Sequence, residues 1–185
     1  MVHTNNWPAG YSTRLVSVIQ GEYRVSSDSS IVLSTVLGSC ISVCMFDRSA
    51  GIGGMNHYLL AESNKAERNN LKYGAHAMEL LMNGLLKAGA SRSRLEAKVF
   101  GGSLMSGRFD FIGPRNAEFA LEYLRDENLP VVAKDIGGAA ARRVNFHPAT
   151  GQARVIQTQA RVEVVAPKPT HQAETEKRAN GAILF

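Results

Sequence analysis

Residues 31–47 read IVLSTVLGSCISVCMFD, and this stretch decides the fold. β-Branched and apolar residues fill both halves, with Gly38-Ser39-Cys40 set between them. Runs of about four to eight such residues bounded by turn chemistry predict two strands around a tight bend. A helix after Gly38 is the alternative, since Cys40 and Cys44 share a face in either element. Working outward, Arg14–Gln20 reads as a strand, and Ser26–Ser30 as a turn. A turn over Asp47–Gly51 leads into a further strand, Gly51–Leu60. Tyr73–Ala88 places Ala77, Leu80, Leu81, Leu85 and Leu86 at helical spacing, and Gly89 ends it. A second helix covers Pro114–Asn128, with Pro114 in its first turn and Phe119, Leu121, Tyr123 and Leu124 on its apolar face. Strands are expected over Glu96–Gly102, Val131–Ile136, Arg142–Phe146, Gln152–Thr158 and Arg161–Val165. The sum is a layered α/β domain over 14–165: a mixed sheet of many short strands with two long helices. Residues 1–13 read as a flexible arm and 166–185 as a flexible tail.

The composition suits that reading. The chain has 185 residues, 44% hydrophobic and 20% charged, with a mean hydropathy of −0.13. A domain this long buries roughly 70% of its unfolded surface. Collagenous, coiled-coil and wholly disordered classes are excluded. No apolar run approaches the roughly 20 residues of a membrane span, and Leu15–Ile19 is too short for a signal-peptide core. The expectation is a cytoplasmic protein with no membrane insertion. The net charge of +5 raises the question of nucleic acid. From Arg142 onward there are seven bases against three acids, so the basicity belongs to the C-terminal end. No aromatic residues interleave with those bases as a stacking platform requires, so no nucleic acid is expected.

Chemistry points to one place. Cys40 and Cys44 are expected as free thiols, and with only His57 near in sequence they cannot complete a tetrahedral zinc site. Cys40 lies in LGSCIS, where Gly38 relaxes the backbone and neighbouring N–H groups can face a developing oxyanion. A cysteine nucleophile needs a base, and His57 in GGMNHYLL is the candidate. Against this stands the commoner fate of a cysteine in an apolar run, which is burial in the core. Cys44 reads as packing. His76 and His147 read as surface or capping residues, and His3 and His171 fall in the ends.

The segment LSTVLGSCISVCMFD followed by GIGGMNHYLL resembles the CheD family of bacterial chemotaxis, with His57 seventeen residues beyond Cys40. The likeness continues through KVFGGSLM and IGPRNAEFALEYLRDENLPVVAKDIGGAAARRVNFHPATGQ, covering roughly residues 14–158. It implies an amidohydrolase that converts glutamines of methyl-accepting chemotaxis receptors to glutamate, and in some members hydrolyses glutamyl methyl esters. It implies a layered α/β sandwich, a nucleophile at Cys40, a base at His57, and no cofactor. The family's third residue is a threonine six positions before the cysteine; an ungapped count puts Ser34 there, with Thr35 beside it. The expected partners are the receptors and, in many members, the chemotaxis phosphatase CheC. A catalytically silent adaptor on the same fold is the alternative.

Overall fold

A computed structural model describes residues 14–60, 67–104 and 111–158. In chain order the elements are β1 (Arg14–Ser17), β2 (Tyr23–Ser26), β3 (Ile31–Leu37), β4 (Ile41–Asp47), β5 (Ile52–Asn56), α1 (Glu67–Lys87), β6 (Glu96–Gly101), α2 (Ile112–Asp126), β7 (Val131–Ile136), β8 (Ala141–His147) and β9 (Gln152–Thr158). The strands divide between two mixed sheets, ordered β1-β3-β8-β9 and β2-β5-β4-β6-β7. β1 runs parallel to β3 and β6 parallel to β7, while the other pairs are antiparallel. β3 and β4 are adjacent in sequence yet enter different sheets. The bend at Gly38–Cys40 is therefore a crossing between layers.

Three layers result. One face of the five-stranded sheet packs on α1 and α2 through Ile41, Val43, Met45, Val99, Leu81, Leu85 and Leu124. Its other face meets the four-stranded sheet through Cys44, Phe46, Met55, Phe100, Leu33 and Phe146. β4 is buried on both faces, which is why its sequence is continuously apolar rather than alternating. Phe46 and Phe146 meet between the sheets with ring centroids 6.1 Å apart. α1 presents Met78, Leu81, Met82 and Leu85 to the sheet, leaving Leu80 exposed. It stops at Gly89, whose φ of 104° continues no helix, and the Ala90 N–H returns to the Leu85 carbonyl at 3.0 Å.

The layered α/β architecture with two long helices matches the expectation. A helix after Gly38 does not form. β2 escapes the pattern because it is only four residues and half charged or polar; pairing with buried β5 makes it a strand. The strand expected over Arg14–Gln20 ends at Ser17, and Val18–Gln20 turn toward the site described below. The arm 1–13, the strand Arg161–Val165 and the tail 166–185 lie outside the described residues. Among the described residues no helix is long and apolar enough to cross a membrane.

Candidate active site

The β4–β5 ladder pairs Cys44 with Met55 and keeps its register to a bridge between Ile41 and Tyr58. In that register Cys40 lies diagonal to His57 on the face between the sheets, where such neighbours stand about 7–8 Å apart along the backbone. Cys40 packs at the rim of the inter-sheet core. The opposite sheet completes the group: Thr35 Oγ1 of β3 lies 2.8 Å from His57 Nδ1. The Val18 carbonyl is 3.3 Å from the same nitrogen. A carbonyl only accepts, so Nδ1 carries the hydrogen, shared between Val18 and Thr35, and the lone pair falls on Nε2. His57 Nε2 is buried with no hydrogen-bond partner among the described residues.

Ser34, favoured by the ungapped count, does not touch the ring. Its hydroxyl donates to Asn145 Oδ1 at 2.7 Å, its cross-strand neighbour on β8. Strand alternation accounts for the different partners: Thr35 shares the inward face with Leu33 and Leu37, and Ser34 lies on the alternate face against Asn145.

The loop carrying Cys40 is seated from three sides. Gly102 N–H donates to the Cys40 carbonyl and Ser103 N–H to the Gly38 carbonyl, each at 2.8 Å. Asn116 Nδ2 donates to the Ser39 carbonyl at 2.9 Å, while its Oδ1 accepts the Leu60 N–H at 2.8 Å. One fully buried asparagine of α2 thus ties together the segments bearing Cys40 and His57. Its signal in the sequence was a polar residue on the helix face shared by Ala117, Ala120 and Leu124. The positive φ values at this loop belong to Gly101 (109°) and Gly102 (66°) of the KVFGG motif. A Cβ on Gly101 would stand 2.2 Å from the Cys40 carbonyl oxygen, so no other residue fits. A turn over residues 19–22 closes the other side, where the Cys40 thiol donates to Gln20 Oε1 across 3.6 Å.

Burial sets the resting charge state. It pushes the Cys40 thiol up to about 11, an effect partly offset by the residue's own backbone N–H. Burial also lowers the His57 pKa, against the raising effect of its Val18 contact. The resting pair is therefore a neutral thiol and a neutral imidazole. Cys44 lies wholly in the core, where burial raises its thiol further, and both cysteines are free. His147 is buried rather than superficial, bonded to Thr150 Oγ1 and the Ser29 carbonyl at 2.8 Å each. His76 is exposed on α1. His3 and His171 lie outside the described residues. Beside His57 opens a cavity of about 270 Å³ whose lining includes Val18, Gln20, Ser34, Thr35, Val36 and Arg143 but not Cys40. A larger cavity of about 700 Å³ runs along α2 among Leu104, Ala117, Leu121 and Ile136, and neither Cys40 nor His57 lines it. Among the described residues no cluster of three His, Cys, Asp or Glu side chains is placed to hold a metal ion.

Fold and site together define a three-layered α/β protein with a partly buried cysteine at the crossing between its two sheets and a buried histidine on the same sheet face. The family model described as CheD chemotactic sensory transduction matches residues 59–157. A probable chemoreceptor glutamine deamidase CheD 1 of Ruegeria sp. (strain TM1040) is 52% identical over 143 residues, covering 77% of this chain and 76% of the relative. A probable chemoreceptor glutamine deamidase CheD of Caulobacter sp. (strain K31) is 51% identical over 159 residues, 83% of this chain and 85% of that one. Another from Rhizobium rhizogenes is 47% identical over 175 residues, 88% and 95% of the two chains. The chain belongs to the CheD family. A crystal structure of a Neisseria meningitidis protein of the DUF152 family aligns with a TM-score of 0.43 at 11% identity, covering 69% of this chain and 64% of that one.

Proposed function

We propose that this protein is a chemoreceptor glutamine deamidase in which Cys40 is the nucleophile, His57 the general base and acid, and Thr35 the residue that orients the imidazole. The observation that carries this reading is the His57 ring itself. It is fixed through Nδ1 by Thr35 and Val18, with its second nitrogen unpartnered on the face it shares with Cys40. A buried imidazole that served only packing would be expected to have both nitrogens satisfied.

The chemistry needs no cofactor. As a receptor glutamine side chain enters, the Cys40 S–H proton passes to His57 Nε2 and sulfur bonds to the amide carbon. The carbonyl π pair moves onto oxygen, and the Cys40 N–H, which already favours the charged sulfur, serves as its donor. When the adduct collapses, the C–N bond breaks, ammonia leaves with the proton from His57, and a thioester remains. Water then gives a proton to His57 and attacks the thioester, sulfur departs and takes that proton back from His57, and the product acid loses its own proton to solvent as glutamate. A glutamyl methyl ester follows the same course with methanol as the leaving group. Receptor methylation-region fragments incubated with the protein should gain about one dalton per modified glutamine, since –NH2 is exchanged for –OH. No gain, or an equal gain with Cys40→Ala, would reject the reading.

A further inference from the structure

Gln20 stands at the second position of a tight turn closed by the Glu22 N–H on the Ile19 carbonyl at 3.0 Å. Gly21 follows with φ 88°, the value that the third position of a type II turn demands. Two backbone bonds fasten this turn to the histidine. Gly21 N–H donates to the His57 carbonyl at 2.8 Å, and His57 N–H donates to the Glu22 carbonyl at 3.0 Å. The segment that fixes the base therefore also aims the Gln20 amide at the nucleophile. The Oε1 of that amide lies 3.6 Å from Cys40 Sγ, and Gln20 is an exposed residue among those lining the cavity beside His57. It contributes nothing to either core cluster.

We propose that Gln20 is a further catalytic residue, whose side-chain Nε2–H donates to the oxyanion of the tetrahedral adduct beside the Cys40 N–H. The proposal rests on the deamidase reading above. The oxyanion forms on the carbon bonded to Sγ, and an effective donor sits about 2.7–3.1 Å from that oxygen. An amide already a few ångströms from sulfur is within that reach. In the resting site the thiol is a donor, so the amide turns Oε1 toward it. Once the proton has moved to His57, sulfur and oxyanion only accept, and a half-turn about the soft terminal torsion presents Nε2 instead. No bond to Gln20 is made or broken. On collapse the electron pair returns to the carbonyl as the C–N bond breaks, and the amide is released.

The test compares wild type, Cys40→Ala, Gln20→Ala and Gln20→Glu for deamidation of a receptor fragment and, separately, for labelling of Cys40 by iodoacetamide. Alkylation at a saturated carbon develops no oxyanion. Gln20→Ala should lower kcat on the order of 100-fold, the usual effect of losing one such donor. KM should stay within about twofold. Its Cys40 labelling rate should remain within about threefold of wild type. Gln20→Glu should fall at least as far in kcat, since a carboxylate repels the oxyanion. An unchanged or raised kcat in Gln20→Ala would overturn the proposal and make Gln20 a plug over the thiol. A labelling rate that falls in step with kcat would overturn it too, because the residue would then act on the thiol. Absence of deamidation in the wild type, or its persistence in Cys40→Ala, would reject the deamidase reading itself, whatever Gln20 does.

Discussion

Thr35 and Ser34 are adjacent hydroxyls with different partners, and exchanging each separately should split activity from stability. Thr35→Val keeps the shape and removes the 2.8 Å contact with His57 Nδ1. A buried hydrogen bond contributes about 0.5–1.5 kcal/mol net, and stranding its partner costs about 1–3 kcal/mol. Nδ1 keeps Val18 at 3.3 Å, so the lower part of that range applies. A loss of about 1–2 kcal/mol in the oriented imidazole corresponds to roughly a 5- to 30-fold fall in kcat with little change in KM. Ser34→Ala removes the 2.7 Å bond to buried Asn145 instead. It should lower unfolding free energy by about 1–2 kcal/mol and leave kcat within about twofold. The assays are deamidation kinetics on a receptor fragment and denaturant titration of both variants. If Ser34→Ala lost more turnover than Thr35→Val, the assignment of the orienting hydroxyl would be wrong.

Cys40→Ala should abolish deamidation while Cys44→Ala stays active with a packing loss of about 1 kcal/mol; native protein should accept iodoacetamide at Cys40 alone, and labelling at Cys44 would contradict its burial. Because burial lowers the His57 pKa, kcat/KM should hold as pH falls and drop only with a midpoint below 6.5, where the base becomes protonated and inactive. The Cys40 labelling rate of the free enzyme should keep rising past pH 9 toward about 11; a plateau near neutrality would mean a resting thiolate–imidazolium pair. Gly101→Ala should unseat the Cys40 loop, since its Cβ would meet the Cys40 carbonyl at 2.2 Å and its φ is 109°. A backbone misfit of this kind costs of order 1–3 kcal/mol before the clash is counted, so a variant with normal stability and activity would contradict the seating.

Much of this was legible in the residues because local pattern and tertiary role agree. The apolar run of β4, the stripe of α1 and the glycine that ends it each follow from periodicity. That Cys40 and His57 come to one face of the sheet follows from spacing, and the roles proposed for them follow from family likeness. The choice between Ser34 and Thr35 stayed open because an ungapped count is blind to strand parity, which decides which hydroxyl stands beside the imidazole. Asn116 and Gln20 stayed hidden for a related reason. Their partners, Ser39 and Leu60 for one and Cys40 for the other, lie twenty to seventy-seven residues away in sequence. Only the crossing of the chain between its two sheets brings them together.

The central claim is that a receptor glutamine passes through a thioester on Cys40, and hydroxylamine tests it most directly. Present during turnover, it competes with water for an acyl-enzyme and turns the acyl group into a hydroxamate. The account predicts glutamyl hydroxamate, about 16 Da above the starting glutamine because –NH2 becomes –NHOH. It should appear at the same receptor positions as glutamate, increase with hydroxylamine concentration, and vanish in Cys40→Ala. Glutamate alone at every hydroxylamine concentration, with deamidation otherwise intact, would show that water attacks the amide directly and would contradict the account.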